Sequence, residues 1–323
     1  MRYIYLDQNK WIELLKGINS GEDKYIELFN IIMQRVRSCE WAFPISMIHI
    51  TETMKRKDLL SRKALLDLMF TISGGYSITD YSTANILEFN MWVLQQKVDC
   101  NDLRNEIIQR DWVKIVGLSS YDAEVSIGEN NNSEKINIIK SIISHHSCDR
   151  VIFDEICSLC EYDPEDENFY YESYVSGRES FIKWRDELKK LKEYKEKHVY
   201  PAYLITLFFT EYGEQLKKLP LALQEKITEL FEQKSKNKTM AIENLEALPG
   251  FNIHNRLIFE LYNNPHKQVH KHDFNDLAYL RVAIPYCDLV IGENYWSDRV
   301  KNHKLDSKYR TVVSTNLFDI LSE

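Results

Sequence analysis

The chain has 323 residues, 44% of them hydrophobic and 28% charged, with only 10 Gly and 7 Pro. That composition excludes a disordered or fibrous chain and suffices for about two domains with buried cores. The formal net charge of −8 excludes a globally basic nucleic-acid binder, so contact with a polyanion needs a local basic patch.

Tyr3-Ile4-Tyr5-Leu6 is short, apolar, and aromatic or β-branched, and is read as a buried strand. The first residues enter this strand pattern directly, so no signal peptide is expected. Asp7-Gln8-Asn9 ends the strand. Trp11, Ile12, Leu14 and Leu15 then follow a helical period that Gly17 and Gly21 punctuate. Helices are expected over 24–37, over 47–57 with Ser46 as N-cap, and over 59–72. Between them, Trp41 to Ile45 reads as a second strand, with Pro44 placing it at an end or an edge. Tyr76 to Thr79 reads as a short third strand after Gly74-Gly75.

From about residue 80 to 266 the pattern is helical, with the clearest segments at 107–116, 135–143, 151–159, 181–197, 201–215 and 221–234. The most apolar stretch there, Tyr203 to Phe209, is too short to span a bilayer. A helix over 274–284, a strand over 288–291, a short helix over 295–301, a strand over 311–314 and a closing helix over 317–321 follow. The two α/β ends complement each other. The expected fold is an open, mostly parallel α/β sheet over residues 1–80 and 267–323, interrupted by an all-helical insertion over 81–266. The six cysteines are scattered and are expected to be reduced, in a cytoplasmic protein without a membrane segment.

Open α/β sheets place their sites beyond the carboxyl ends of strands, at the topological switch point. Asp7 follows the first strand and Glu293 follows the strand over 288–291. Glu52 falls in the helix after the second strand, and Asp273 and Asp276 open the helix over 274–284. Carboxylates gathered in one crevice repel one another, and a hard divalent cation with oxygen ligands and retained waters resolves the conflict. Such an ion activates water and stabilises the charge that develops on a phosphodiester.

Asp7, Glu52, Asp276 and Glu293 lie in four segments, Tyr3-Ile4-Tyr5-Leu6-Asp7-Gln8-Asn9, Ile45-Ser46-Met47-Ile48-His49-Ile50-Thr51-Glu52, Asn275-Asp276-Leu277-Ala278-Tyr279-Leu280, and Cys287-Asp288-Leu289-Val290-Ile291-Gly292-Glu293-Asn294. In this order they resemble the motifs of PIN-domain nucleases. The resemblance covers roughly 1–80 and 268–323. It implies a three-layer PIN-like fold, Mg²⁺ or Mn²⁺ as cofactor, and endonucleolytic cleavage, most often of RNA. It further implies a toxin or antiviral-defence role under a regulatory protein partner, and a homodimer. The chain departs from the pattern where Glu293 replaces the usual Asp and where Asp288 precedes its strand.

The expected catalytic carboxylates are thus Asp7, Glu52, Asp276 and Glu293, with Asp273 and Asp288 as further metal ligands. Each has a plainer reading. Asp7 or Asn9 can cap the first helix, Asp273 can cap the helix over 274–284, and Asp288 can be a turn residue. Asn9, Lys10, Lys55, Arg56, Arg299, Lys301 and Lys304 flank the acidic residues and are the expected nucleic-acid contacts. Trp296 is expected to pack in the core. His266, His270 and His272 suggest a weak zinc motif, whereas Cys157 and Cys160 share a helical period with apolar neighbours and are read as buried thiols. A haloacid-dehalogenase-type phosphatase would need Asp where Asn9 stands, and no glycine-rich phosphate loop follows the first strand. The rival reading is a catalytically degenerate core whose helical insertion serves as a protein- or nucleic-acid-binding scaffold.

Overall fold

The computed structural model describes residues 1–117, 145–160, 164–192, 194–235 and 238–322. The helix expected over 135–143 lies outside them. The protein is mostly helical, with a small parallel sheet and a short antiparallel pair. It divides into two compact units. The first comprises residues 1–84, 100–163 and 282–323, and the second 85–99 and 164–281. This division departs from the one read in the sequence. Residues 100–163 group with the sheet, and 267–281 group with the helical unit.

In the first unit, β1 (Arg2–Leu6) leads into α1 (Gln8–Asn19) and α2 (Asp23–Arg37). Then come β2 (Trp41–Ala42), α3 (Met47–Met54), α4 (Leu59–Ser73) and β3 (Tyr76–Ile78). The sheet is completed from the far end of the chain by β5 (Leu289–Ile291) and β6 (Val312–Ser314), in the order β2-β1-β5-β6 with every pairing parallel. Ile4, Tyr5 and Leu6 of β1, and all three residues of β5, are essentially inaccessible, as the inner strands of a parallel sheet must be. Ile4, Leu6, Leu289 and Ile291 share one core with Trp11 and Leu14 of α1, Leu28 and Ile32 of α2, and Leu65, Met69 and Ile72 of α4. Gly17 does not end α1 as its position suggested. It lies within the helix, where a Cβ would overlap the Tyr25 ring that packs against it.

β2 is shorter than expected because Pro44 interrupts it. Ile45 instead makes an isolated parallel bridge to Ser77 of β3. The helix expected over 107–116 is not formed. Helix Cys100–Ile107 ends there, β4 (Ile108–Arg110) pairs antiparallel with β3, and Trp112–Val116 is a 3₁₀ turn whose Val113 N–H is capped by the Asp111 side chain. Ile107, Ile108, Trp112 and Ile115 are all buried, so their spacing imitated a helix face while the strand and turn met the same demand. Helix Arg150–Leu159 buries Cys157 and Cys160.

The second unit is built from helices, including Pro164–Lys189, Val199–Lys218, Leu221–Ser235 and Pro249–Asn263. Its core gathers Phe89, Trp92, Leu204, Phe208, Tyr212 and Phe251, with Phe89 stacked on Tyr212 at 4.8 Å. Glu88 is fully buried and accepts from the Gly250 N–H at the start of Pro249–Asn263. Arg281, also buried, donates to Glu211 at 2.8 Å. Among the described residues no helix is long and apolar enough to cross a membrane.

Candidate functional site

The chain leaves β1 towards β2 on one side and returns to β5 on the other, so the order of the sheet reverses between β1 and β5. At such a point the loops beyond the strand ends diverge and leave a crevice. Asp7 stands there. Its N–H extends the ladder by donating to the Ile291 carbonyl at 2.8 Å, and its own carbonyl accepts from Lys10 N as the N-cap of α1. The plain capping role of Asp7 is therefore real, but it engages a single carboxylate oxygen. Oδ1 accepts from Gln8 N at 2.7 Å, whereas Oδ2 is buried with no hydrogen-bond partner.

Asp7 is only 6% exposed. Burial, then the negative charge of Glu52, push its pKa up from 3.8 to about 7. Glu293 adds to the rise, and the Gln8 N–H and Lys10 oppose it. The structure thus brings three of the expected carboxylates into one electrostatic group. Glu52 is half-buried in the second turn of α3. Glu293 is exposed at the N-cap position of helix Asn294–Asn302, and its Oε1 accepts from Asn9 Nδ2 at 2.5 Å. Asn9 does not cap α1. It lies in the first turn and ties the opening motif to Glu293.

A buried set of polar residues that the sequence reading passed over surrounds Asp7. Ser46 N donates to His49 Nδ1 at 3.0 Å. That nitrogen must therefore be the acceptor, so the proton sits on Nε2, which donates to the Leu6 carbonyl at 2.7 Å. Burial pushes the His49 pKa down to about 4, and the neutral ring is the form the site contains. Tyr5 OH and Ser46 Oγ join at 2.9 Å on the Nδ1 side. Thr53 Oγ1 donates to the His49 carbonyl at 2.7 Å and accepts from Gln8 Nε2 at 2.7 Å. These bonds close a ring through Leu6, Asp7, Gln8, Thr53 and His49. The available signal was two polar residues four apart on one face of α3, behind a Ser at its N-cap.

Other expected site residues are placed differently. Asp288 lies at the amino end of β5, the opposite end of the strands from Asp7. Its Oδ2 accepts from Tyr3 N at 2.8 Å and its Oδ1 from Arg104 at 3.1 Å, so it joins strand starts and is no part of the acidic group. Asp273 is bound by the Lys267 ammonium at 3.0 Å and by His270 N at 2.7 Å, which gives the buried carboxylate partners other than a metal ion. Asp273 and Asp276 open helix Asp273–Tyr286 and belong to the second unit. His266 and His270 lie outside any helix, so the spacing of this His cluster carries no alignment. Trp296 is buried, as core packing requires.

Of the basic residues, Lys10 pairs with Glu13 at 3.0 Å, Arg56 donates to Ser61 at 3.0 Å, and Arg299 lies over the Tyr295 ring at 5.5 Å. Lys301 and Lys304 are exposed, and Lys55 is half-buried just past α3.

The donor set suits a hard cation. It offers an unpartnered buried carboxylate oxygen on Asp7 with Glu52 and Glu293 in electrostatic reach. Among the described residues no three His, Cys, Asp or Glu side chains are already drawn to metal-holding distance. Mg²⁺ tolerates this, since it keeps several waters and takes as few as one or two carboxylates. No family model matches the chain, and neither a curated protein nor a solved structure matches it.

Proposed function

We propose that this chain is a divalent-metal-dependent nuclease with a PIN-like core, acting on RNA. The observation that carries this reading is Asp7. It is a buried carboxylate at the switch point of a parallel sheet, with one oxygen unpartnered and its pKa raised to about 7 by burial and by Glu52 and Glu293. A buried carboxylate held beside two others is unfavourable without a cation, and groups strained in this way concentrate at functional sites. Asp7 and Glu52 are the residues that would hold Mg²⁺ or Mn²⁺, with waters completing the shell. A bound ion supplies an activated water and neutralises charge on the phosphodiester.

Without an ion, Asp7 keeps a proton up to near-neutral pH. The Gln8 N–H fixes one carboxylate oxygen, and the His49 ring holds the Leu6 carbonyl of the preceding residue. Glu293, oriented by Asn9, borders the same group from the solvent side. Lys55, Lys301 and Lys304, which follow Glu52 and Glu293 in the chain, are the cations assigned to a phosphate backbone on that sequence order. The assignment of Asp276 rests on the sequence alone, as do the homodimer, the regulatory protein partner and the role in toxin or antiviral systems.

The test is incubation of the chain with mixed RNA and single-stranded DNA pools in Mg²⁺, Mn²⁺ or EDTA, with product ends mapped. Cleavage of RNA that requires metal and drops at least about 100-fold in Asp7→Asn and Glu52→Gln is expected. Cleavage that survives Asp7→Asn would sink the assignment. A second reading, a catalytically silent core used as a scaffold, draws on the lack of a preformed three-ligand cluster among the described residues. It predicts no cleavage of either pool and no metal uptake.

A further inference from the structure

Gln8 is 5% exposed, and its Oε1 is buried without a hydrogen-bond partner. The orientation of its amide follows from its neighbour. Thr53 Oγ1 has one proton, which goes to the His49 carbonyl four residues back in α3. The oxygen therefore accepts from Gln8, which must present Nε2 and turn its carbonyl oxygen elsewhere. Asp7 Oδ2 is the other buried acceptor left open at the start of α1, on the preceding residue. Thr53 follows Glu52, one of the two carboxylates whose charge acts on Asp7. With Asp7 ionised, these are two acceptors on consecutive residues, one of them in electrostatic reach of the Glu52 carboxylate, and both lack a donor. Among the described residues no group donates to either atom.

We infer that Gln8 is a further binding residue of this site, its Oε1 accepting a hydrogen bond from water in the shell of a divalent cation held by Asp7. The inference rests on the metal reading above and adds a neutral ligand-positioning oxygen to it. Hydrated Mg²⁺ or Mn²⁺ carries acidic water protons that need acceptors, and an amide oxygen accepts without adding a fourth negative charge. The His49–Thr53 ring is then a clamp with two outputs. The Leu6 carbonyl bond sets the backbone before Asp7, and the Thr53 hydroxyl sets the face that Gln8 turns to the ion.

The experiment is calorimetric titration with Mn²⁺ alone of the full-length wild type, Gln8→Leu, Thr53→Val and Asp7→Asn, each first shown folded by circular dichroism. The expected result is Mn²⁺ binding by wild type, loss of binding in Asp7→Asn, and an affinity about 10-fold weaker in Gln8→Leu. Thr53→Val, which frees the amide without removing it, weakens binding by less. Wild-type affinity in a folded Gln8→Leu, with Asp7→Asn still silent, overturns the Gln8 assignment and leaves the metal site standing. Equal binding by wild type and Asp7→Asn overturns the metal site itself. If Gln8→Leu fails to fold, Gln8→Met, which keeps the length and removes the oxygen, carries the same comparison.

Discussion

Asp7 couples stability to the proposed chemistry. Its carboxyl has a pKa of about 7 in the folded chain against an ordinary value of 3.8. The folded state therefore holds a proton that the unfolded chain has released. Stability is full below about pH 4, falls as the pH rises towards 7, and is level above that. The cost of the ionised group at alkaline pH is on the order of 4 kcal/mol. Asp7→Asn removes it, so the variant should melt several degrees higher than wild type at pH 8 and nearly with it at pH 4, by differential scanning fluorimetry. A lower melting point at pH 8 would contradict the account. His49 acts in the opposite sense, because burial lowers its pKa to about 4 from 6.5. Stability from the neutral ring is present above pH 6.5 and lost as the pH falls towards 4. In the Asp7→Asn background, urea unfolding should show stability rising between pH 4 and 6.5. Asp7, Glu52 and Glu293 were legible as carboxylates just past strands or on the following helix. Gln8 and His49 were not, because their roles depend on Thr53 and Leu6, partners that local patterns do not reveal.

Among the elements, the inner strands were the easiest to read, since β1 and β5 are buried on both faces and carry unbroken apolar runs. β4 was not. Its residues share a periodicity with the turn that follows, and only the open edge of β3 makes a strand of them. The polarity of the sheet also separates two aspartates that look alike in sequence. Asp7 follows a strand and faces the crevice, whereas Asp288 precedes one and binds Tyr3 N and Arg104. Asp288→Ala should therefore cost about 1–3 kcal/mol in chemical unfolding, by leaving the Tyr3 N–H and a guanidinium without their acceptor. It should leave Mn²⁺ affinity unchanged. A metal-binding defect without loss of stability would return Asp288 to the site.

At the scale of the molecule, residues from both ends of the chain build one sheet, and this much was legible because each end alone was an incomplete α/β pattern. The boundary of the helical unit was not, since 85–99 and 164–281 associate through a core of aromatics whose helical period is no different from that of 100–107 or 150–159. Because the second unit has its own core, Phe208→Ala should cost about 3–5 kcal/mol there. In hydrogen exchange it should raise exchange in 85–99 and 164–281 while the β1 and β5 amides stay protected. Uniform loss of protection would show that the two cores unfold together.

Asp7 is the proposed anchor of a divalent cation at the β1–β5 switch point. The most direct measurement of this anchoring is an anomalous difference map from crystals of the wild-type chain soaked in Mn²⁺ above pH 7, where Asp7 is ionised. A peak within coordination distance of Asp7 Oδ2, absent from Asp7→Asn crystals, is expected. A fully ordered Asp7 with no anomalous density beside it at saturating Mn²⁺ would contradict the proposal.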